Sequence, residues 1–158
     1  MATQSPGATE VAMAFFADLV RCEVRLYNQF NDELRAAHGI VTSQLDFMRF
    51  IRDHDSPRTT DMAAEFAIGV GAVSKGMDRL EAHGLITRLP NPANRRSSIL
   101  ALTDEGLALV DAAEASFETR LVQILSAAAS PSDLAATASV LARLRADLER
   151  DGLGTPVG

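Results

Sequence analysis

The chain has 158 residues and a formal net charge of −6 from 15 basic and 21 acidic side chains, enough length for one domain burying about 70% of its unfolded surface. Cys22 is the only cysteine and His38, His54 and His83 are scattered, which excludes an intrachain disulfide or a cysteine metal cluster and gives no ligand spacing for a metal. No apolar run approaches the ~20 residues of a membrane span, and the residues before Glu10 do not resemble a secretory signal, so a cytoplasmic protein without a membrane partner is expected.

From Glu10 to about Ala37, the residues Val11, Phe15, Leu19, Cys22, Leu26, Phe30 and Leu34 recur at spacings of three or four, the stripe of one long helix closed by Gly39. At 1.5 Å per residue such a helix spans roughly 40 Å, longer than a small domain needs, so it calls for a partner. A second helix is expected from Thr42 or Ser43 to about His54, with Ser43 and Asp46 at capping-box spacing. A short third helix follows Asp55-Ser56-Pro57-Arg58, with Thr59 or Thr60 as N-cap and Asp61 in its first turn. Ala67-Ile68-Gly69 makes a tight turn into a fourth helix, Val70 to His83, with Val73, Met77 and Leu80 on one face. Two short helices joined by a Gly-containing turn are a helix-turn-helix pattern.

The segment from Gly84 to Thr103 contains Arg88, Arg95 and Arg96 and no carboxylate. Its apolar runs Ile86 to Leu89 and Ser98 to Leu102 flank a Pro- and Asn-rich tip, the signature of a two-stranded ribbon. Between Arg58 and Leu102 six basic residues face four acidic ones, a balance of +2, whereas the remainder carries −8. An acidic frame with one positive face suits docking on a polyanion. Thr103 then caps a long helix to about Ala128, and Ser130-Pro131-Ser132-Asp133 starts a last helix ending near Asp151-Gly152. Residues 1–9 and 152–158 read as flexible tails. The fold class is therefore mainly α, a winged helix-turn-helix with a two-stranded wing between long N- and C-terminal helices.

Leu80-Glu81-Ala82-His83-Gly84-Leu85-Ile86-Thr87-Arg88, together with Asn94-Arg95-Arg96 ahead of Leu102-Thr103-Asp104-Glu105-Gly106, resembles the MarR (multiple antibiotic resistance regulator) family of bacterial transcription factors. The likeness runs from about Glu10 to Glu149. It implies a homodimer whose dimerisation region is residues 10–41 and 104–151, with a winged DNA-binding region over 42–103. It implies double-stranded DNA as partner, with the fourth helix in the major groove and the wing arginine, Arg96, in a neighbouring minor groove. The implied DNA-binding residues are Ser74 and Lys75 on the reading helix and Arg88 at the wing base, with Arg95 beside Arg96. Arg79 is weighed between DNA and an internal carboxylate, and Thr60 between phosphate and simple capping. Asn94 stands where the family usually carries Asp, and an amide replaces the carboxylate that would pair with the wing arginine.

The implied function is a sequence-specific, ligand-responsive repressor on a pseudo-palindromic operator, released by a small aromatic or lipophilic effector. Tyr27, Phe30, Phe47, Met48 and Ile51 are the candidate effector pocket. Alternatives are a winged interaction module without specific DNA binding, suggested by the Gly- and Ala-rich reading helix, and a redox-sensing regulator using Cys22. Because Cys22 lies on the apolar stripe, it is expected to be buried and inert. Gly69-x-Gly71-x-x-Ser74 lacks the third glycine of a dinucleotide fingerprint, and no catalytic grouping stands out, so no cofactor and no enzymatic activity are expected.

Overall fold

The computed structural model describes residues 7–156. The elements run α1 (Ala8–His38), α2 (Thr42–Asp53), α3 (Thr59–Glu65), α4 (Val70–Ala82), β1 (Ile86–Pro90), β2 (Ser98–Leu102), α5 (Asp104–Ala128) and α6 (Pro131–Arg150). This is a mainly helical chain with one two-stranded sheet, as expected. It divides into two compact units, Met1–Thr42 and Ser43–Gly158.

In the first unit, Gly7 is the N-cap of α1 and its N–H is accepted by the Glu10 carboxylate at 3.2 Å. The helix therefore starts at Ala8, inside the segment expected as a tail; the tail residues 1–6 and 157–158 lie outside the described residues. Gly39 closes it at φ 71, with its N–H on the Arg35 carbonyl. This backbone conformation suits glycine, which has no Cβ to clash.

Helix α1 carries two apolar stripes. Beside the expected one, Met13, Phe16, Val20, Val24 and Tyr27 recur at the same spacing, and all five are exposed, Met13 at 65% and Phe16 at 63%. Only Phe30 and Leu34 of α1 are buried. Cys22 is exposed, which corrects the expected burial: the stripe it sits on is largely uncovered along the N-terminal half of the helix.

In the second unit, Leu45, Met48, Met62, Val73, Met77, Leu80, Leu100 and Val110 form the fully buried core. Helix α2 starts at Thr42 without the expected capping box, since no hydrogen bond joins Asp46 to Ser43 among the described residues. Asp46 is half-buried, and burial pushes its carboxyl above the usual range against the opposing charge of Arg49. Farther along α2, Arg52 reaches Glu114 at 2.6 Å and Asp111 at 3.0 Å on α5, and Arg49 meets Glu114 at 2.7 Å. The Arg52 guanidinium holds the Glu114 and Asp53 carboxyls below their usual range.

Strands β1 and β2 pair antiparallel from Ile86↔Leu102 to Pro90↔Ser98. The free edge of β2 is used once, where the Leu100 N–H donates to the Pro57 carbonyl at 2.8 Å. At the exit of β2, Thr103 donates its backbone N–H to the Leu85 carbonyl and its hydroxyl to the Gly84 carbonyl, and accepts the Gly106 N–H. One threonine thus caps α5 and fastens it to the turn that leaves α4.

Helix α6 opens as expected, with Ser130 accepting the Asp133 N–H and Pro131 in the first turn. It ends in an ordered turn rather than directly in a tail: Gly152 adopts φ 65 and Leu153 donates to the Leu148 carbonyl at 2.9 Å. No residue of α6 is buried, and Val140, Leu144 and Leu148 form an exposed apolar row along it. Among the described residues, no single helix is long and apolar enough to cross a membrane.

Candidate nucleic-acid interface

Helix α3 is capped by Arg58, not by Thr59 or Thr60. The Asp61 carboxylate takes the Arg58 backbone N–H at 3.1 Å and its guanidinium at 2.7 and 2.9 Å. A carboxylate three residues into the helix satisfies the orphan N–H better than a threonine hydroxyl competing for the same turn, so the helix starts one residue earlier. Thr60 is exposed in the first turn.

The turn into α4 is tight, as expected, but its left-handed residue is Ala67 at φ 50, while Gly69 is the extended N-cap of α4. The Ile68 N–H reaches back to the Ala63 carbonyl at 3.1 Å, and this bond holds an alanine in a conformation costing it about 1 kcal/mol.

Helix α4 buries Val73, Met77 and Leu80. Gly76 is also needed there: a Cβ would lie 2.8 Å from the Phe47 ring, which crosses the helix at that point. Gly71, by contrast, faces open space. On the outer side lie half-buried Ser74 and exposed Lys75 and Arg79, and among the described residues neither cation has a carboxylate partner. The internal ion pair weighed for Arg79 is therefore not formed. Val70 is 49% exposed at the first position of this helix.

Arg88, expected among the DNA contacts, is engaged by α4 in the DNA-free chain. Its guanidinium pairs with Asp78 at 2.8 Å and with Glu81. Both carboxylates sit on α4, so this arginine braces the wing root against the helix and neutralises two acidic groups on it.

The tip between the strands is built from two consecutive turns. Asn91 starts the first: its side-chain oxygen accepts the Ala93 N–H at 3.0 Å and its carbonyl the Asn94 N–H at 3.2 Å. Asn94 repeats the pattern on the Arg96 N–H and the Ser97 N–H, each at 3.0 Å. The Asn91 amide then donates to the Ser97 hydroxyl at 2.8 Å, which closes the loop. Asn favours the first position of such turns because its side chain copies a backbone carbonyl. Arg95 and Arg96 are left on the two corners of the second turn, both exposed and, among the described residues, without a carboxylate partner.

The structure thus gathers Ser74, Lys75 and Arg79 on one helix and Arg95 and Arg96 at one turn. The candidate effector residues fare differently. Phe47, Met48 and Ile51 are core residues of the second unit, with Phe47 edge-on to Phe66 at a ring separation of 5.5 Å. Ile51 lines an open groove of about 450 Å³, shared with Pro57, Leu100, Leu102 and Leu107. In the first unit, Phe30 is buried and Tyr27 is 36% exposed.

The same arrangement recurs in known proteins. The family model described as MarR family matches residues 41–98, from the start of α2 to the start of β2. The winged helix-turn-helix region of the chain is similar to this family. Among curated relatives, the helix-turn-helix transcriptional regulator YdgJ of Bacillus subtilis is 26% identical over 113 residues, covering 72% of this chain and 68% of YdgJ. The transcriptional repressor MdtR of the same organism is 35% identical over 68 residues, 43% of this chain and 44% of MdtR. Among solved structures, the family member Sco3205 of Streptomyces coelicolor in complex with DNA superposes with TM-score 0.84 over 98% of both chains at 16% identity. The repressor CouR bound to a 23-mer DNA duplex gives 0.74 at 25% identity, over 90% of this chain and 99% of CouR. The chain thus shares the winged helix-turn-helix fold of these structures, and the relatives named are regulators of transcription.

Proposed function

We propose that this protein is a cytoplasmic transcriptional repressor that binds a pseudo-palindromic operator in double-stranded DNA as a homodimer. The observation that carries the reading is the wing: two arginines, without a carboxylate partner among the described residues, on the corners of a carboxylate-free turn, directly after a helix-turn-helix whose outer face presents Ser74, Lys75 and Arg79. In such modules the second helix enters the major groove and cations reach the backbone or the minor groove. Residues 42–103 form the DNA-binding region, with Arg96 in the minor groove.

The dimerisation region is assigned to 10–41 and 104–151 because α1, α5 and α6 leave apolar side chains uncovered along their length. Exposed apolar surface of that extent on a water-soluble chain marks an association surface. Two-fold symmetry then sets half-sites about one helical turn apart. We assign a small aromatic or lipophilic effector to the open groove beside Ile51. The names of MdtR and CouR, both repressors, support the sign of regulation.

Titrating labelled DNA from upstream of the gene with purified protein, over a salt series, tests this. A complex that competes away with its own sequence and not with random duplex is expected, with affinity falling steeply as salt rises. A protein that binds both duplexes equally, or neither, refutes the reading.

A further inference from the structure

Resting on the DNA-binding reading above, we propose that Asn91, Asn94 and Ser97 are positioning residues that present Arg95 and Arg96 to DNA through an uncharged brace. The seven residues between the strands contain no carboxylate, so nothing there is able to fix a guanidinium by an ion pair. The arginines are instead fixed through their backbone. Asn94 Oδ1 holds the Arg96 N–H, and the Asn94 carbonyl holds both the Ser97 N–H and, at 3.3 Å, the Ser97 hydroxyl. Asn91 ties the other side of the loop to that same hydroxyl.

Two consequences separate this brace from an ion pair. It consumes no positive charge, so both guanidinium groups keep their full charge and all their N–H donors for DNA. It also does not weaken with ionic strength, because amide and hydroxyl hydrogen bonds are not screened as charge pairs are. The wing therefore keeps one shape across a salt series, and the salt dependence of binding reports the DNA contacts alone.

Three readouts test the brace, using the full chain and a duplex enriched by the wild-type protein from a randomised pool. Amide hydrogen exchange without DNA is expected to show slow Arg96 and Ser97 N–H groups in the wild type, faster exchange in Asn94→Ala, and slow exchange restored in Asn94→Asp, which keeps the acceptor oxygen. Affinity for the duplex is expected to fall roughly threefold to tenfold in Asn94→Ala, the worth of one ordinary hydrogen bond, with an unchanged salt slope. Arg96→Ala is expected to lower the slope as well, since it removes a charge. The melting temperature serves as control and stays near that of the wild type, because the turn is solvent-exposed.

Exchange in Asn94→Ala equal to wild type, or wild-type affinity in that variant, overturns the brace while leaving DNA binding in place. A salt slope that drops in Asn94→Ala overturns it too, because the amide would then be acting through charge. Failure of the wild-type protein to enrich any duplex overturns the DNA-binding reading and this inference with it.

Discussion

The carbonyl of Leu85 occupies the space in which a side chain at Gly106 would begin. A Cβ on Gly106 would lie 2.9 Å from the Leu85 carbonyl carbon and nearer still to its oxygen. The first turn of α5 is therefore pressed onto the backbone that leaves α4, and Thr103 bonds both sides of the contact. Gly106→Ala, which in an open helix position stabilises, is expected to destabilise here by about 2 kcal/mol or more, because rigid backbone must move. A denaturant titration with an unchanged midpoint would disprove this contact.

Gly71 supplies the opposite sign. Nothing lies within 4 Å of its Cβ position, so Gly71→Ala is expected to stabilise by roughly 0.5–1 kcal/mol. Gly76→Ala, which meets the Phe47 ring at 2.8 Å, is expected to lower the melting temperature instead. Thermal melts of the pair separate a glycine kept for packing from one that packing does not need.

Removing the two kinds of arginine on the wing should have different effects. Arg96→Ala is expected to reduce operator affinity by about 1–3 kcal/mol and to lower the salt slope. Arg88→Ala is expected to leave the salt slope unchanged, because that guanidinium is held by Asp78 and Glu81. Those carboxylates are well exposed, so the direct stability change stays below about 1 kcal/mol. Equal slopes for both variants would contradict the assignment.

The junction of α2 and α5 makes the fold acid-sensitive. The Glu114 carboxyl is held low by its hydrogen bond to Arg52, so its contribution is fully present above the unfolded value of about 4.5 and is lost as pH falls through the lower folded value. Glu114→Gln is expected to be less stable than wild type by roughly 1–3 kcal/mol at pH 7, and the difference is expected to shrink below about pH 4. Urea midpoints of both proteins at pH 7 and pH 3.5 provide the comparison, and a gap that widens in acid would reverse the sign.

A charge on the second apolar stripe of α1 tests the dimer. Phe16→Glu is expected to shift the protein toward monomer in light scattering and to weaken operator binding, because two linked half-sites bind more tightly than one. A dimer of unaltered strength would remove that stripe from the interface.

Much of the site was legible because turn and cap chemistry is local. Asn91, Pro92 and Asn94 mark turns through their own backbones, and Thr103 and Ser130 mark helix starts, so the ribbon and both C-terminal helices appear where their residues put them. The pairing of Arg88 is not legible in the sequence because its carboxylates, Asp78 and Glu81, are ten and seven residues away on another element, and spacing along the chain does not reveal that proximity. The exposure of Cys22 is not legible for a related reason: periodicity identifies an apolar stripe but not whether anything in the same chain covers it.

From the sequence alone came the order of elements, the helix-turn-helix, the acid-free wing and the resemblance to the MarR family, all consequences of residue type at short spacing. Tertiary structure decided which charges are free. It paired Arg88, Arg52 and Arg58 with carboxylates and, among the described residues, left Lys75, Arg79, Arg95 and Arg96 without them, because the reach of an ion pair depends on distance in space. It also turned Asn94 from a missing carboxylate into a hydrogen-bond acceptor for the backbone of Arg96, a role for which an amide oxygen and a carboxylate serve alike.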